Sequence, residues 1–252
     1  MTPQEILSEA YRAHPRVALV ASFQVESVVL IDMASEITGA PEVLTIDTGR
    51  LPQETHEVID AVRERYPIRL HVLTPDSREL ARLAGEHGAN PFYRSVELRR
   101  QCCEIRKTRP LTQALKGYDA WLTGLRRDQG ATRAGTPISA PDPQHGGIFK
   151  IAPLAEWTRD QVWAYARERE LPLHPLYAQG YTSIGCAPCT RATAPGEDER
   201  AGRWWWEQDG VKECGLHWLA SSPPGGAVPL LPAWRGGPPE GRGGAARGRG
   251  GS

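Results

Sequence analysis

The sequence has no excess charge of either sign, because 30 Lys and Arg residues stand against 30 Asp and Glu residues. Such a balance gives no reason to expect a nucleic acid or a membrane surface as partner. The longest apolar runs, such as residues 17–21, are far too short to span a bilayer. The first residues also lack the basic, then apolar, then small-residue order of a signal peptide. We therefore expect a soluble cytoplasmic protein, in which clustered cysteines bind metal or do redox work more often than they form disulfides.

A glycine-rich phosphate fingerprint is also missing, so the sequence predicts neither a Walker loop nor a dinucleotide motif. The turn at residues 22–27, Ser-Phe-Gln-Val-Glu-Ser, follows the first predicted strand and precedes a helix. Backbone amides at such a junction can hold a phosphate group with help from the helix dipole. Taken alone, however, the turn is also explained as an ordinary loop capped by Ser22.

Apolar segments of strand length alternate with amphipathic segments of helix length over the first half of the chain. The predicted strands are residues 16–22, 43–47, 68–73 and 119–124, and the predicted helices between them are residues 28–37, 51–66, 77–86 and 96–105. This alternation predicts an α/β fold with a parallel sheet and right-handed crossovers. Ligands then bind at the carboxyl ends of the strands, where Ser22 and residues 47–50 fall. A loop at 135–147 and an edge strand at 148–152 are predicted further on, and residues 171–220 are irregular.

The composition changes abruptly after residue 220. Of the 32 residues in 221–252, 10 are Gly and 6 are Pro. Such a segment cannot bury enough apolar surface to offset its ordering entropy. We expect a folded unit over residues 1–220, with a mobile C-terminal segment that carries Cys214, followed by a disordered tail over 221–252.

Five cysteines are the strongest signal in the sequence, because of their spacing. Cys102 and Cys103 are adjacent, Cys186 and Cys189 form a Cys-x-x-Cys pair, and Cys214 stands alone. Two pairs of thiolates can hold either a structural zinc ion or an iron–sulfur cluster. Neighbours on a regular helix point in different directions, so both can ligate only with some backbone distortion. A cluster accepts two neighbours on different irons, and the spacing therefore favours it over zinc.

Two other groups of residues point to reactivity and to an anionic ligand. Cys214 lies among polar residues, and basic groups at Lys212 and His217 would lower the pKa of its thiol, which favours a nucleophile over a small buried side chain. Four arginines lie near predicted strand ends or near the Cys-x-x-Cys pair: Arg126, Arg127, Arg200 and Arg203. Guanidinium groups bind phosphate and sulfate in a bidentate manner, although surface arginines are often only solvated.

Together these motifs resemble the assimilatory sulfonucleotide reductases. The resemblance covers roughly residues 15–218 and is to the iron–sulfur branch, the adenylylsulfate (APS) reductases. The segments that carry it are Ser22-Phe23, Leu44–Arg50, Cys102-Cys103, Gly124–Gln129, Cys186–Cys189, Arg200–Glu207 and Glu213–His217.

The resemblance implies an adenine-nucleotide α-hydrolase-like, Rossmann-like fold, with a twisted parallel sheet that carries helices on both faces. It also implies a [4Fe–4S] cluster on Cys102, Cys103, Cys186 and Cys189. Cys214 would attack the sulfur of adenylylsulfate, expel AMP and become an S-sulfocysteine, and reduced thioredoxin would then release sulfite. By the same analogy, Lys107 lies between cluster and substrate. The full set of substrate-binding residues expected on this basis is Ser22, Phe23, Asp47, Thr48, Gly49, Arg50, Lys107, Arg126, Arg127, Arg200, Arg203 and His217.

The sequence departs from the family pattern in two places and leaves several alternatives open. Residues 24–27 read Gln-Val-Glu-Ser, where the best-known members have Ser-Gly-Ala-Glu-Asp after Ser-Phe, and the tail has no counterpart. A reductase that also accepts the 3′-phosphorylated nucleotide (PAPS) is the nearest alternative. An ATP pyrophosphatase of the same fold normally carries a Ser-Gly-Gly-x-Asp-Ser loop, and a zinc-stabilised nucleic-acid-binding module would need a basic face. The sequence also leaves open the thioredoxin or glutaredoxin that serves as donor, and whether the chain forms a homo-oligomer.

Overall fold

A six-stranded sheet forms the centre of the computed structural model, which describes residues 1–207, 213, 215 and 216. The strands are β1 (Val17–Val20), β2 (Glu42–Ile46), β3 (Arg69–Leu73), β4 (Ala120–Leu122), β5 (Ser139–Asp142) and β6 (Ile148–Ile151). Their order in the sheet is β3-β2-β1-β4-β6-β5. All neighbours are parallel except β5, which pairs antiparallel with β6. The predicted parallel α/β sheet is therefore confirmed.

The helices are α1 (Pro3–Ala13), α2 (Val25–Thr38), α3 (Gln53–Arg65), α4 (Ser77–His87), α5 (Val96–Cys103), α6 (Arg109–Leu115) and α7 (Arg159–Glu168). A π-helical turn over Glu104–Thr108 joins α5 to α6 without a break. Short 3₁₀ turns recur along the chain between β4 and residue 189. Within the described part of the chain, no helix is long and apolar enough to cross a membrane.

Side chains on the central strands alternate between two cores, as the pleat of a sheet requires. Val17 and Leu19 of β1 pack into the larger core with α1, α2, α3 and α7, whereas Ala18 packs with Trp121 against α6 on the opposite face. Helices therefore cover both faces of the sheet. The strands β1 and β4 are neighbours although three helical crossovers separate them in sequence, which places the switch in strand order between them. A ligand cleft is expected at such a switch, outside the carboxyl ends of the strands.

One prediction about the sheet is wrong: residues 148–151 do not form an edge strand. Strand β6 lies between β4 and β5, and the edge strand is β5, within the segment predicted to be a loop. Pro141 in β5 cannot donate to a ladder, so this strand is suited to an edge, and its Ser-Ala-Pro-Asp sequence lacks the usual β-branched pattern. Cys214, His217 and the tail at 221–252 lie outside the described residues.

Candidate active site

A cleft of ≈ 170 Å³ opens at the predicted place, over the carboxyl ends of β1, β2 and β4. Four of the residues predicted to bind substrate line this cleft: Ser22, Thr48, Lys107 and Arg203. The loop 183–185, Ser-Ile-Gly, and Leu216 close its sides. The sheet topology thus brings together segments that lie far apart in the sequence.

The atypical turn after β1 is fixed by side-chain contacts rather than by glycine. The Gln24 side chain donates to Ser22 Oγ (3.2 Å) and accepts from the Ile184 backbone amide (2.7 Å). The amide of Val25, at the start of α2, donates to the Tyr177 hydroxyl (3.0 Å). The Phe23 side chain does not face the cleft, because it is completely buried in the larger core with a positive φ of 55°. Gln24 therefore ties the turn to the loop that leads to the Cys-x-x-Cys pair.

The turn after β2 is held by hydrogen bonds within the turn, and its residues line both the cleft and the pocket that contains the cysteines. Asp47 accepts from the amide of Gly49 (2.8 Å), whose φ of 67° suits glycine. Thr48 lines the cleft, and its Oγ1 lies 3.3 Å from Cys186 Sγ. Arg50 turns away from the cleft, lines the pocket between the cysteines, and donates to Asn90 Oδ1 (2.9 Å).

Arg203 is one of two guanidinium groups that line the cleft, the other being that of Arg133. Arg203 is buried and stacks over the Trp204 ring (4.7 Å to the ring centroid), and its guanidinium makes long contacts to Ser183 Oγ (3.5 Å) and Ile184 O (3.4 Å). Gly185 leaves room for it, because a Cβ at that position would lie 2.2 Å from Arg203 Nη2. The cleft thus contains a buried cation whose position depends on the absence of a side chain at Gly185.

The other predicted arginines are engaged elsewhere. Arg126 lies buried below the cleft and donates to Glu26 (3.1 Å) and Glu199 (3.1 Å), two carboxylates that line the cleft. Arg127 lies nearer the surface, where it pairs with Glu156 (3.0 Å). Arg200 donates to Glu213 (3.1 Å). None of these three guanidinium groups lines the cleft itself, and their predicted contact with substrate stays a prediction.

A second, smaller pocket adjoins the cleft and brings together all four paired cysteines. Cys102 and Cys103 come from the end of α5, whereas Cys186 directly precedes a 3₁₀ turn and Cys189 is the last residue of that turn. All four are buried, with 7–8% exposure, and none forms a disulfide. The residues around them are otherwise aromatic or basic: Arg50, Phe92, Arg99, Arg106 and Lys107.

The π turn that follows Cys103 shapes this pocket. Its signature bond runs from the Arg109 amide to Glu104 O, five residues back. Arg106 and Lys107 both lie in this turn, and Lys107 lines the cysteine pocket as well as the cleft. A local distortion of the backbone therefore lies next to the adjacent cysteines, as expected if both of them serve as ligands.

The thiols of the pocket differ in acidity. Burial raises the pKa of Cys102, and burial together with the neighbouring Cys186 raises the pKa of Cys189 to about 12. Burial acts in the same direction on Cys186, but Lys107 and the hydrogen bond with Thr48 outweigh it, so that the pKa of Cys186 lies below the ordinary value.

The residues of the pocket fit an iron–sulfur cluster. All four paired cysteines line it, and they include the neighbours Cys102 and Cys103. A cluster with four thiolate ligands can take such neighbours on different irons. The buried Arg106 Nε and Trp204 Nε1 have no acceptor among the described protein atoms, and such donors suit the sulfur atoms of a cluster.

A third feature joins the cysteine helix to the end of the described chain. Arg99 of α5 is 1% exposed, forms a bidentate pair with Glu207 (2.8 and 2.9 Å), and donates to the backbone oxygen of Glu213 (2.7 Å). Leu216 reaches the cleft. Glu213 and Leu216 lie on either side of Cys214 in the sequence.

Sequence reasoning missed the residues that support these sites. They include Glu26, Arg99, Gln129, Arg133 and Glu199, which all line the cleft or the cysteine pocket. Arg133, for example, pairs with Glu213 across 80 residues of sequence. No local sequence pattern indicates a partner so far away in the chain.

The cleft at the switch in strand order and the adjoining cysteine pocket define an α/β protein with a candidate ligand site at the carboxyl edge of a parallel sheet. The sequence pattern of the phosphoadenosine phosphosulfate reductase domain matches residues 16–192. Two similar proteins are named adenosine 5′-phosphosulfate reductase. The one from Burkholderia cepacia is 46% identical and aligns over 86% of this chain and 87% of its own length. The one from Allochromatium vinosum is 45% identical over 84% and 83%.

Solved structures agree with this comparison. A phosphoadenylyl-sulfate reductase from Candida auris is 30% identical, with a TM-score of 0.66 over 76% of this chain and 91% of that one. An FMN adenylyltransferase from Candida glabrata, at 13% identity and a TM-score of 0.55, shares the fold alone. The chain belongs to the phosphoadenosine phosphosulfate reductase domain family.

Proposed function

We propose that the protein reduces adenylylsulfate to sulfite and AMP in sulfate assimilation, with Cys214 as nucleophile and reduced thioredoxin as electron donor. The observation that carries this proposal is the junction of the two cavities at Lys107, which lines both the cleft and the cysteine pocket. Relatives named adenosine 5′-phosphosulfate reductase support the choice of nucleotide. We place the reaction in the cytoplasm, where thiols stay reduced.

The position of Cys214 in the sequence supports its role. It lies outside the described residues, but Glu213 is buried against Arg133 and Arg200, and Leu216 lines the cleft. The residues on both sides of Cys214 are therefore held at the cleft. The other four cysteines line one pocket, which leaves Cys214 as the thiol available for covalent chemistry.

The proposed reaction moves two electrons from thioredoxin to the sulfate sulfur. The Cys214 thiolate attacks that sulfur, the bond from sulfur to the phosphate oxygen breaks, and AMP leaves with the electron pair. This step gives an S-sulfocysteine. A thioredoxin thiolate then attacks the Cys214 sulfur and expels sulfite, and the second thioredoxin thiol closes the disulfide and regenerates Cys214.

The cleft residues have separable roles in the first step. Arg203 and Lys107 provide the positive charge that an anionic phosphosulfate needs, and both lie in a partly enclosed site where charge interactions are strong. The Ser22 turn, fixed by Gln24, offers a hydroxyl and the start of α2 at the same edge. His217 is proposed to assist from the segment beyond Leu216.

Cys102, Cys103, Cys186 and Cys189 would hold a [4Fe–4S] cluster. When bound, this group would supply a fixed charge that tunes the electrostatics of the cleft, and it would not transfer electrons. On the protein side, Lys107 and Arg106 balance the charge of the four thiolates.

The alternative substrate is PAPS, which carries a further 3′-phosphate. It is favoured by the match to the phosphoadenosine phosphosulfate reductase domain and by the likeness to the Candida auris enzyme. Rates of sulfite release with each nucleotide, measured on the same preparation, decide between APS preference and dual use.

The test is an anaerobic preparation assayed for sulfite from APS with reduced thioredoxin. Incubation with APS alone is expected to add the mass of SO₃ to the peptide that contains Cys214, and reduced thioredoxin is expected to remove it. Cys214→Ser should abolish sulfite production but keep its iron and its nucleotide affinity, because a serine hydroxyl is far less ionised than a thiol. An added mass on Cys186 or Cys189 would overturn the division into four ligands and one nucleophile.

A further inference from the structure

The turn between β1 and α2 contains no glycine, and several of its backbone amides are already engaged. The amide of Val25 donates to the Tyr177 hydroxyl (3.0 Å). The amides of Ser27 and Val28 donate to Gln24 O (3.0 and 3.1 Å). A helix start usually offers such amides to an anion. Here side chains have to supply part of that donor capacity.

The side chain of Gln24 is bonded at both of its polar atoms. Gln24 directly precedes α2, but its side chain does not cap the helix. Its Oε1 accepts from the amide of Ile184 (2.7 Å), and its Nε2 lies 3.2 Å from Ser22 Oγ. A backbone amide can only donate, so Ile184 fixes which end of the Gln24 amide group faces it. The Nε2 end therefore faces Ser22, and Ser22 Oγ accepts that hydrogen bond.

This polarity leaves the proton of the Ser22 hydroxyl for another acceptor. A serine hydroxyl has one proton to donate and two lone pairs that accept, and Gln24 uses a lone pair. Within the described part of the chain, no residue accepts a hydrogen bond from Ser22 Oγ. Ser22 is exposed and lines the cleft. Its hydroxyl is thus oriented as a donor toward whatever the cleft binds.

We propose that Gln24 commits the Ser22 hydroxyl to donate into the cleft, to a phosphoryl oxygen of the nucleotide. The inference rests on the proposed function and deepens it, because it assigns a role to the atypical residue of the turn. A phosphoryl oxygen only accepts hydrogen bonds, so a hydroxyl held as a donor is complementary to it. Gln24 is a positioning residue, since it acts through Ser22.

The same side chain also connects this donor to a cation of the cleft. Ile184, whose amide is bonded to Gln24, places its carbonyl oxygen 3.4 Å from Arg203 Nη1. Ser22, Gln24, Ile184 and Arg203 all line the cleft. One glutamine therefore fixes a hydroxyl and a guanidinium relative to each other before an anion enters, which is the arrangement that binds charge with little reorganisation.

The test compares AMP with adenosine, which lacks the phosphate, by calorimetric titration of the iron-loaded full-length protein under anaerobic conditions. Ser22→Ala should weaken AMP binding about tenfold, because a hydrogen bond to a charged group is lost. Gln24→Met keeps the length of the side chain and loses both of its bonds. It should weaken AMP binding about fivefold in wild type but less than about twofold in the Ser22→Ala background, because the two changes act on one contact. Adenosine affinity should stay within about twofold throughout.

Gln161→Met is the matched control. The Gln161 side chain also accepts from a backbone amide, that of Thr158 (2.8 Å), but it does not line the cleft. AMP affinity should stay within about twofold of wild type, because distant sites act independently. The proposal is overturned if Gln24→Met costs the same with and without the Ser22 hydroxyl. It is also overturned if adenosine affinity falls as much as AMP affinity, since Gln24 would then only support the fold.

Gln24→Glu decides the question if Gln24→Met loses its iron or fails to fold. The carboxylate keeps the shape and the bond from Ile184, but it cannot donate, so the Ser22 hydroxyl turns toward it and away from the ligand. Charge repulsion weakens AMP binding whether or not Ser22 is present. The reversed hydroxyl should add a further loss of about fivefold only where Ser22 is present, and equal losses in the two backgrounds overturn the proposal.

Failure of the proposed function has a different signature. A wild type that binds AMP but releases no sulfite from APS contradicts the proposed function alone. A wild type that releases sulfite, but in which Ser22 and Gln24 act independently on AMP affinity, contradicts this inference alone. A wild type that neither binds AMP nor releases sulfite overturns both.

Discussion

Replacement of Gly185 by Ala tests whether the cleft binds its ligand through Arg203, whose guanidinium packs tightly against Gly185. A Cβ at position 185 would lie 2.2 Å from Arg203 Nη2 and 2.5 Å from Cζ, so the guanidinium must move. The backbone is not the obstacle, because Gly185 does not adopt a positive φ. The substitution therefore displaces Arg203 without removing it.

The size of the effect follows from what Arg203 contacts. Its bonds to Ser183 and Ile184 are long, at 3.5 and 3.4 Å, so their loss costs the folded protein little. A charge-assisted hydrogen bond to a bound anion contributes about 2 kcal/mol, which corresponds to roughly thirtyfold in affinity. We expect Gly185→Ala to weaken binding of AMP and adenylylsulfate by that factor and to leave the iron content unchanged.

Calorimetric titration of the Cys214→Ser background with adenylylsulfate measures this affinity without turnover. Gly85→Ala is the control, since a Cβ there meets nothing within 4 Å. In an Arg203→Ala background, Gly185→Ala should add less than about 0.5 kcal/mol, because the two changes act on one contact. If it costs the same in both backgrounds, the effect does not pass through Arg203 and the reasoning is wrong.

Three further predictions concern stability and cofactor content. Arg126→Ala should destabilise the protein by about 3–5 kcal/mol in denaturant unfolding, since it removes the buried cation that pairs with Glu26 and Glu199. Replacement of the neighbouring, more accessible Arg127 by Ala should cost at most about 1 kcal/mol, and equal costs would contradict the structure. Cys102→Ser should lose most of the iron measured per chain, while Cys214→Ser keeps it, and full iron in Cys102→Ser would exclude this residue as a ligand. Burial lowers the pKa of His174, so that below the ordinary value of 6.5 the unfolded state binds more protons than the folded state. The free energy of unfolding should therefore fall as the pH drops below 6.5. His174→Gln should flatten that part of the pH profile, and an unchanged slope would refute the assignment.

The order and type of the main elements could be predicted from the sequence because their signals are local. Alternating apolar segments of strand and helix length gave β1 to β4 and the helices between them within a few residues. Strand β5 was missed because a short polar segment with a central proline carries no strand signal, although β6 supplies it with a partner. The same reasoning placed β6 at the edge, since nothing in the sequence indicated a further neighbour.

The residues of the candidate site show the same difference: some belong to local sequence motifs, and others depend on partners far away in the chain. Ser22, Thr48 and the cysteines could be predicted because each sits in a short recognisable motif. The burial of Arg126, in contrast, depends on Glu199, which lies 73 residues away in the chain. Sequence alone gives adjacent arginines 126 and 127 the same interpretation, whereas the fold buries one beneath the cleft and leaves the other near the surface.

The π turn explains how one segment serves both cavities. In a regular α-helix, Lys107 would lie four residues after Cys103 and therefore on the same face. The wider turn over Glu104–Thr108 changes that register, and Lys107 lines the cysteine pocket and the cleft at once. The helical bonds continue on both sides, so the distortion is held by α5 and α6 rather than by a loop. The two cavities therefore share one side chain, and the backbone that carries it is continuous with α5 and α6.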